Sequence, residues 1–99
     1  MNRNRNTDVN GKPFAETTIG AVWNKGAVIN GYDPKIWRRD ACGHAIKITD
    51  YANINSDYGW EVDHKLPVAK GGNDELTNLQ PLYWGNNRKK SDTYPWNCC

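Results

Sequence analysis

The run Trp60-Glu61-Val62-Asp63-His64-Lys65-Leu66 alternates with a period of two: Trp60, Val62, His64 and Leu66 fall on one side, Glu61, Asp63 and Lys65 on the other. That is the signature of an extended segment with one face turned to a core, and Pro67, which cannot donate to a ladder, closes it. The next segment able to pair with it is Leu79 to Tyr83, returning antiparallel after a wide loop whose tip is Gly71-Gly72-Asn73. Gly85 to Asp92 then reads as a terminal helix rich in cations. Strand, loop, strand, helix in this order confines the chain to a small α+β architecture.

The core such a unit can build is unusual. Leu, Ile and Val supply 15 of the 99 residues and Phe one, below the roughly 20% that marks an ordinary globular core. Five Trp and five Tyr make up the difference, so the core is expected to be small, aromatic and hydrogen-bonded at its edges. At this length there is room for one domain. No apolar run approaches the roughly 20 residues needed to span a bilayer, and polar residues follow Met1 where a signal peptide would be apolar.

Upstream, residues 1–13 hold four Asn, Arg3, Arg5, Gly11 and Pro13 and little to bury; residues 1–16 are expected to be a flexible arm, and residues 17–99 the domain. From Thr17 to Ile29 the apolar residues Ile19, Ala21, Val22, Trp23, Ala27, Val28 and Ile29 are broken by Gly20 and Gly26, and helix and strand both stay open. Asp33-Pro34 is a helix-start signal that predicts a short helix from Pro34 to about Ala41, ended by Gly43. Ile46 and Ile48, alternating with Lys47 and Thr49, predict a half-buried strand.

Net charge is only +2, but its distribution is uneven. Residues 50–63 carry Asp50, Asp57, Glu61 and Asp63 with no Lys or Arg, whereas residues 84–92 carry Arg88, Lys89 and Lys90 against Asp92 alone. An acidic pocket beside a basic strip suits a metal-dependent site for a polyanion. Hydrolysis of a phosphodiester needs an activated water, a cation to neutralise developing charge and an in-line geometry. Asp63 and His64 are adjacent, Asn78 lies 14 residues beyond His64, and Asn87 lies 9 beyond Asn78.

In this register the stretch WEVDHKLPVAKGGNDELTNLQPLYWGNNRKKSD resembles the signature of the HNH endonucleases, in a variant with His64, Asn78 and Asn87 at the three motif positions. The upstream WRRDACG also resembles the flank of small members of that family. The resemblance implies a ββα-metal finger (the His-Me finger) over residues 59–92, with an N-terminal helical and irregular extension. It implies one divalent cation and hydrolysis of DNA to 5′-phosphate and 3′-hydroxyl ends. His64 corresponds to the general base, for which an imidazole is suited near neutral pH. Asp63 and Asn87 correspond to metal ligands, and Asn78 to the residue that positions the base. Strict alternation sends Asp63 and His64 to opposite faces, so a bend or bulge is expected there. One carboxylate and one amide oxygen make a hard, incomplete ligand set that favours Mg²⁺ or Mn²⁺. The further His of colicin-like relatives is replaced by Ser91. Arg88, Lys89 and Lys90, with Arg38 and Arg39, are the expected phosphate contacts.

Many members of the family carry a structural zinc on two Cys-x-x-Cys pairs. Here Cys42 meets Ala45, and Tyr83 and Asn86 stand at the second pair, so that zinc is not expected and packing by Trp60, Tyr83 and Trp84 is expected in its place. His44 and Cys42 with Cys98 and Cys99 offer a Cys₃His donor set, but in an unusual order across a long loop. Three Cys cannot all pair within one chain, which favours a reducing, cytoplasmic setting in a bacterial or phage-infected cell. DNA is the expected partner, with no membrane. An intact Met1 and no fused recognition domain point to a phage or mobile-element protein working beside larger packaging or recombination machinery. The alternative is a ββα module that binds nucleic acid without cutting it.

Overall fold

A computed structural model describes residues 4–98. The elements are helix α1 (Glu16–Trp23), strands β1 (Ala27–Val28), β2 (Trp37–Arg39), β3 (Ala45–Lys47), β4 (Trp60–His64) and β5 (Leu79–Tyr83), and helix α2 (Trp84–Lys90). Strands β1, β2 and β3 form an antiparallel meander, and β4 and β5 a separate antiparallel pair in which Trp60 faces Tyr83 and His64 faces Leu79. The architecture is α+β, and β4, β5 and α2 follow one another as a ββα unit. No described helix is long and apolar enough to cross a membrane.

Strand β4 is buried along its whole length because both its faces are covered. Trp60 and Val62 join Val22, Trp23, Ile46 and Leu79 in the core, with Phe14, Ile19, Tyr51 and Tyr83 packed around it. Trp60 is the centre of this cluster, its ring 5.2 Å from that of Trp23 and 4.9 Å from that of Tyr51. The other face, carrying Glu61 and Asp63, meets α2 through polar bonds. Pro81 opposite Val62 is tolerated because Val62 N–H points away from β5, to Oδ1 of Asn6 at 2.9 Å, so this pair needs no donor from residue 81.

Several expectations are corrected. The helix from Pro34 to Ala41 is a turn followed by β2: Asp33 caps its own turn through Lys35 N–H, then Ile36 and Trp37 donate back to its carbonyl, and Trp37 to Arg39 pair with β3. The aromatic Trp37 gains more from the sheet than from a lone helical turn. Thr17 to Ile29 divides into α1 and β1. Ile46 lies in β3, but Ile48 begins a 3-10 turn. The segment expected as a free arm is, where described, bonded into the fold: Asn6 caps Val62, Val9 N–H donates to the Asp74 carboxylate, and the Phe14 ring lies 5.8 Å from that of His64.

The place of the two Cys-x-x-Cys pairs is held by Asp40. One oxygen of this buried carboxylate accepts from the N–H groups of Cys42 and His44, the other from Tyr83 N–H and Asn86 Nδ2, which ties the meander to the β5–α2 junction. His44 stacks on Tyr83 with ring centroids 3.7 Å apart. Two of the thiols expected to stay reduced are joined: Cys42 and Cys98 form a disulfide that fastens the C-terminal segment beside the same junction. With a sequence separation of 56, such a link stabilises by up to about 4 kcal/mol in the chain-entropy model. Two donors of the Cys₃His set are thereby consumed, and the third, Cys99, lies outside the described residues.

Candidate active site

Five polar side chains are buried together along β4 and α2: Glu61, Asp63, His64, Asn87 and Lys90. Such a concentration is costly in a domain this small, and groups kept in this way mark sites of chemistry more often than sources of stability. Asp63, His64, Asn87 and Lys90 line one cavity of about 80 Å³, completed by Val62, Pro67, Val68, Ser91 and residues 4–7. The expected bulge is absent: the β4–β5 ladder is regular to its end, and the cavity opens at the edge of β4 away from β5, between α2 and the N-terminal segment. At a strand terminus and an open edge, neighbouring side chains can reach one site without breaking the pleat.

His64 Nε2 lies 2.8 Å from Oδ1 of Asp74. A carboxylate only accepts, so Nε2 is the donor in this contact and Nδ1 is the ring nitrogen left for other partners. Asp74 is itself anchored, since both its oxygens accept from Val9 N–H at 3.2 and 3.1 Å. Sequence reading missed Asp74 because it falls in the wide loop read only as a connection between strands; its position four residues before Asn78 was the available signal.

Asn78 ties that loop together. Its Oδ1 accepts from Leu66 N–H at 2.9 Å, and its Nδ2 donates to the carbonyls of Leu66 and Asn73. It thus fixes the chain leaving His64 and the chain entering Asp74. Gly72 is required beside it, because a Cβ there would lie 1.7 Å from the Leu66 carbonyl oxygen and 3.0 Å from Asn78 Nδ2.

Asp63 accepts from Gln80 Nε2 at 2.9 Å through one oxygen and pairs with Lys90 Nζ at 3.2 Å through the other. Burial pushes its pKa above the usual carboxylate value, and Gln80, Lys90 and His64 offset part of that rise. Asn87 donates from Nδ2 to Oε1 of Glu61 at 2.8 Å, which fixes the amide orientation because the carboxylate cannot donate. Oδ1 of Asn87 is left without a hydrogen bond among the described residues.

These donors fit a hard divalent cation. Each Asp63 oxygen has one partner and retains acceptor capacity, Asn87 offers a neutral oxygen, and 80 Å³ far exceeds the roughly 10–15 Å³ a single water needs. Among the described residues no three His, Cys, Asp or Glu side chains converge. Two protein oxygens leave the rest of such a cation's shell to water and other oxygen donors.

The expected phosphate contacts are largely engaged elsewhere. Lys90 is 2% exposed and donates to the His64 carbonyl at 3.0 Å besides pairing with Asp63, so it is an internal counter-ion. Arg88 binds Glu61 through both terminal nitrogens. Arg38 is spread over the carbonyls of Pro34, Asn24 and Gly26, and Arg39 donates to the Gly43 carbonyl. Lys89 is exposed.

Asp74 gives a direct test of how the imidazole is held. Asp74→Ala should free the imidazole from its single orientation, and Asp74→Glu should recover part of that hold. Long-range ¹⁵N–¹H spectra should show the His64 Nε2–H tautomer in the parent and a mixture in Asp74→Ala. An unchanged tautomer would mean that Asp74 does not set it.

Neither a curated protein nor a solved structure matches this chain. The family model described as HNH endonuclease matches residues 40–93, from the buried Asp40 through β4, the Asn78 loop, β5 and α2. With more than half its length covered and the ββα unit in place, this chain belongs to the HNH endonuclease family.

Proposed function

We propose that this member of a nuclease family is a DNA endonuclease that needs one divalent cation, Mg²⁺ or Mn²⁺, and leaves 5′-phosphate and 3′-hydroxyl ends. The observation that carries the reading is the convergence of Asp63, His64 and Asn87 on one polar cavity, with the imidazole held by Asp74.

In this reading His64 Nδ1 accepts a proton from the attacking water. Its opposite nitrogen stays bonded to Asp74, which fixes the ring and stabilises the imidazolium that forms. Asn78 keeps the imidazole and Asp74 in register by holding both ends of the intervening loop. Asp63 and Asn87 would hold the cation, with Glu61 keeping the Asn87 oxygen turned to it. When bound, that ion neutralises charge on the phosphorane and the leaving oxygen. Lys90 keeps the Asp63 carboxylate tolerable in a buried setting.

One observation favours a second reading, a module that binds nucleic acid without cutting: the Asp63 charge already has an internal partner in Lys90. Supercoiled plasmid separates the two. The nuclease reading expects nicked or linear product with Mg²⁺ or Mn²⁺ and none with EDTA. Retention of the plasmid without cleavage under any divalent ion would favour the binding module.

A further inference from the structure

A site that handles a phosphodiester needs an exposed positive charge on its rim, and the cations of α2 do not provide one at this cavity. Lys90 is buried on Asp63, and Arg88 is bonded to Glu61. The other cation lining the cavity comes from the opposite end of the chain. Arg5 is exposed, lines the cavity with Asp63, His64 and Asn87, and makes no hydrogen bond or ion pair among the described residues.

Its placement is built rather than accidental. Next to it, Asn6 caps the Val62 N–H, and the buried Thr7 donates to the Asn4 carbonyl. Further on, Val9 binds the carboxylate that holds His64. The backbone carrying Arg5 is therefore fastened to the same strand and loop that carry the proposed base. A guanidinium offers paired donors that match two oxygens of one phosphate, whereas an ammonium offers a point charge.

We propose that Arg5 is a substrate-binding residue of this site, contacting a phosphate of the nucleic acid strand at the cavity; this rests on the reading of the chain as a nuclease. Residues 4–9 would then be a wall of the active site.

The experiment measures affinity for a short DNA duplex against salt concentration in a His64→Ala background, where cleavage does not interfere, and single-turnover cleavage in the otherwise native chain. Losing one phosphate contact should make the log–log salt slope shallower by about 0.9. Arg5→Ala is expected to show that change and a cleavage rate lowered about tenfold or more, with unfolding temperature unchanged. Arg5→Lys should restore the slope but only part of the rate. Duplex binding with an unaltered slope in Arg5→Ala would overturn the assignment while leaving the nuclease reading intact. Absence of duplex binding even at low salt would overturn both. Binding with the expected slope change, but no cleavage by the parent, would uphold Arg5 as a phosphate contact and remove the nuclease reading alone.

Discussion

His64→Ala should cleave plasmid about 10³-fold more slowly than the parent at saturating Mg²⁺, the scale expected when a general base is removed. The imidazole is buried against Phe14 and bonded to Asp74, yet Asp74 keeps its two bonds from Val9 N–H when the ring is gone. The fold should therefore survive, as circular dichroism and thermal unfolding would show. Asn78 and Gly72 remain to hold the loop, so duplex affinity should change little. Added imidazole should recover part of the rate by occupying the space of the lost ring. Undiminished cleavage by this variant would remove His64 from the chemistry.

Lys90→Met should produce the largest change in stability. It leaves the Asp63 carboxylate 6% exposed with Gln80 as its remaining side-chain partner, and breaking one side of a buried pair costs about 3–5 kcal/mol. The loss should depend on pH in a defined direction. Burial raises the folded-state pKa of Asp63 above its ordinary carboxylate value, so the native protein binds more protons than the unfolded chain between those two values. The contribution of Asp63 to stability is then most favourable below the unfolded value and declines as pH rises towards the folded value. Removing the ammonium widens that window upwards. Lys90→Met should be close to the parent in acid and clearly less stable at neutral pH, and Mg²⁺ should restore part of the difference by standing in for the lost charge. Equal destabilisation at both pH values, measured by denaturant titration, would mean that Asp63 is not the group Lys90 compensates.

The ββα unit was legible because its signals are local. The period of two around Val62, the punctuation by Pro67 and Gly71-Gly72, and the cationic run at Arg88 located β4, β5 and α2 to within a residue or two. The position of β2 was not legible, since Asp33-Pro34 starts a turn equally well and only the distant partner Lys47 makes Trp37 a strand residue. The N-terminal segment was misread for a related reason. It is attached by Asn6, the backbone of Val9 and a single Phe rather than by a run of apolar residues, and its partners lie fifty or more residues away. The Cys42–Cys98 link has no local signal either. At the site, the resemblance to the HNH signature marked Asp63, His64, Asn78 and Asn87, but Asp74, Glu61 and the burial of Lys90 are consequences of closure. Charge counting treats every Lys and Arg as available, whereas packing assigns Lys90, Arg88 and Arg38 to internal partners.

Asp63 and Asn87 are expected to present their oxygens to one cation beside the His64 imidazole. Anomalous diffraction from crystals equilibrated with Mn²⁺ measures this directly. A single strong peak is expected within coordination distance, about 2.0–2.4 Å, of an Asp63 carboxylate oxygen and of Asn87 Oδ1, lost in Asn87→Ala. A peak elsewhere on the chain, or none at this cavity at saturating Mn²⁺, would contradict this expectation.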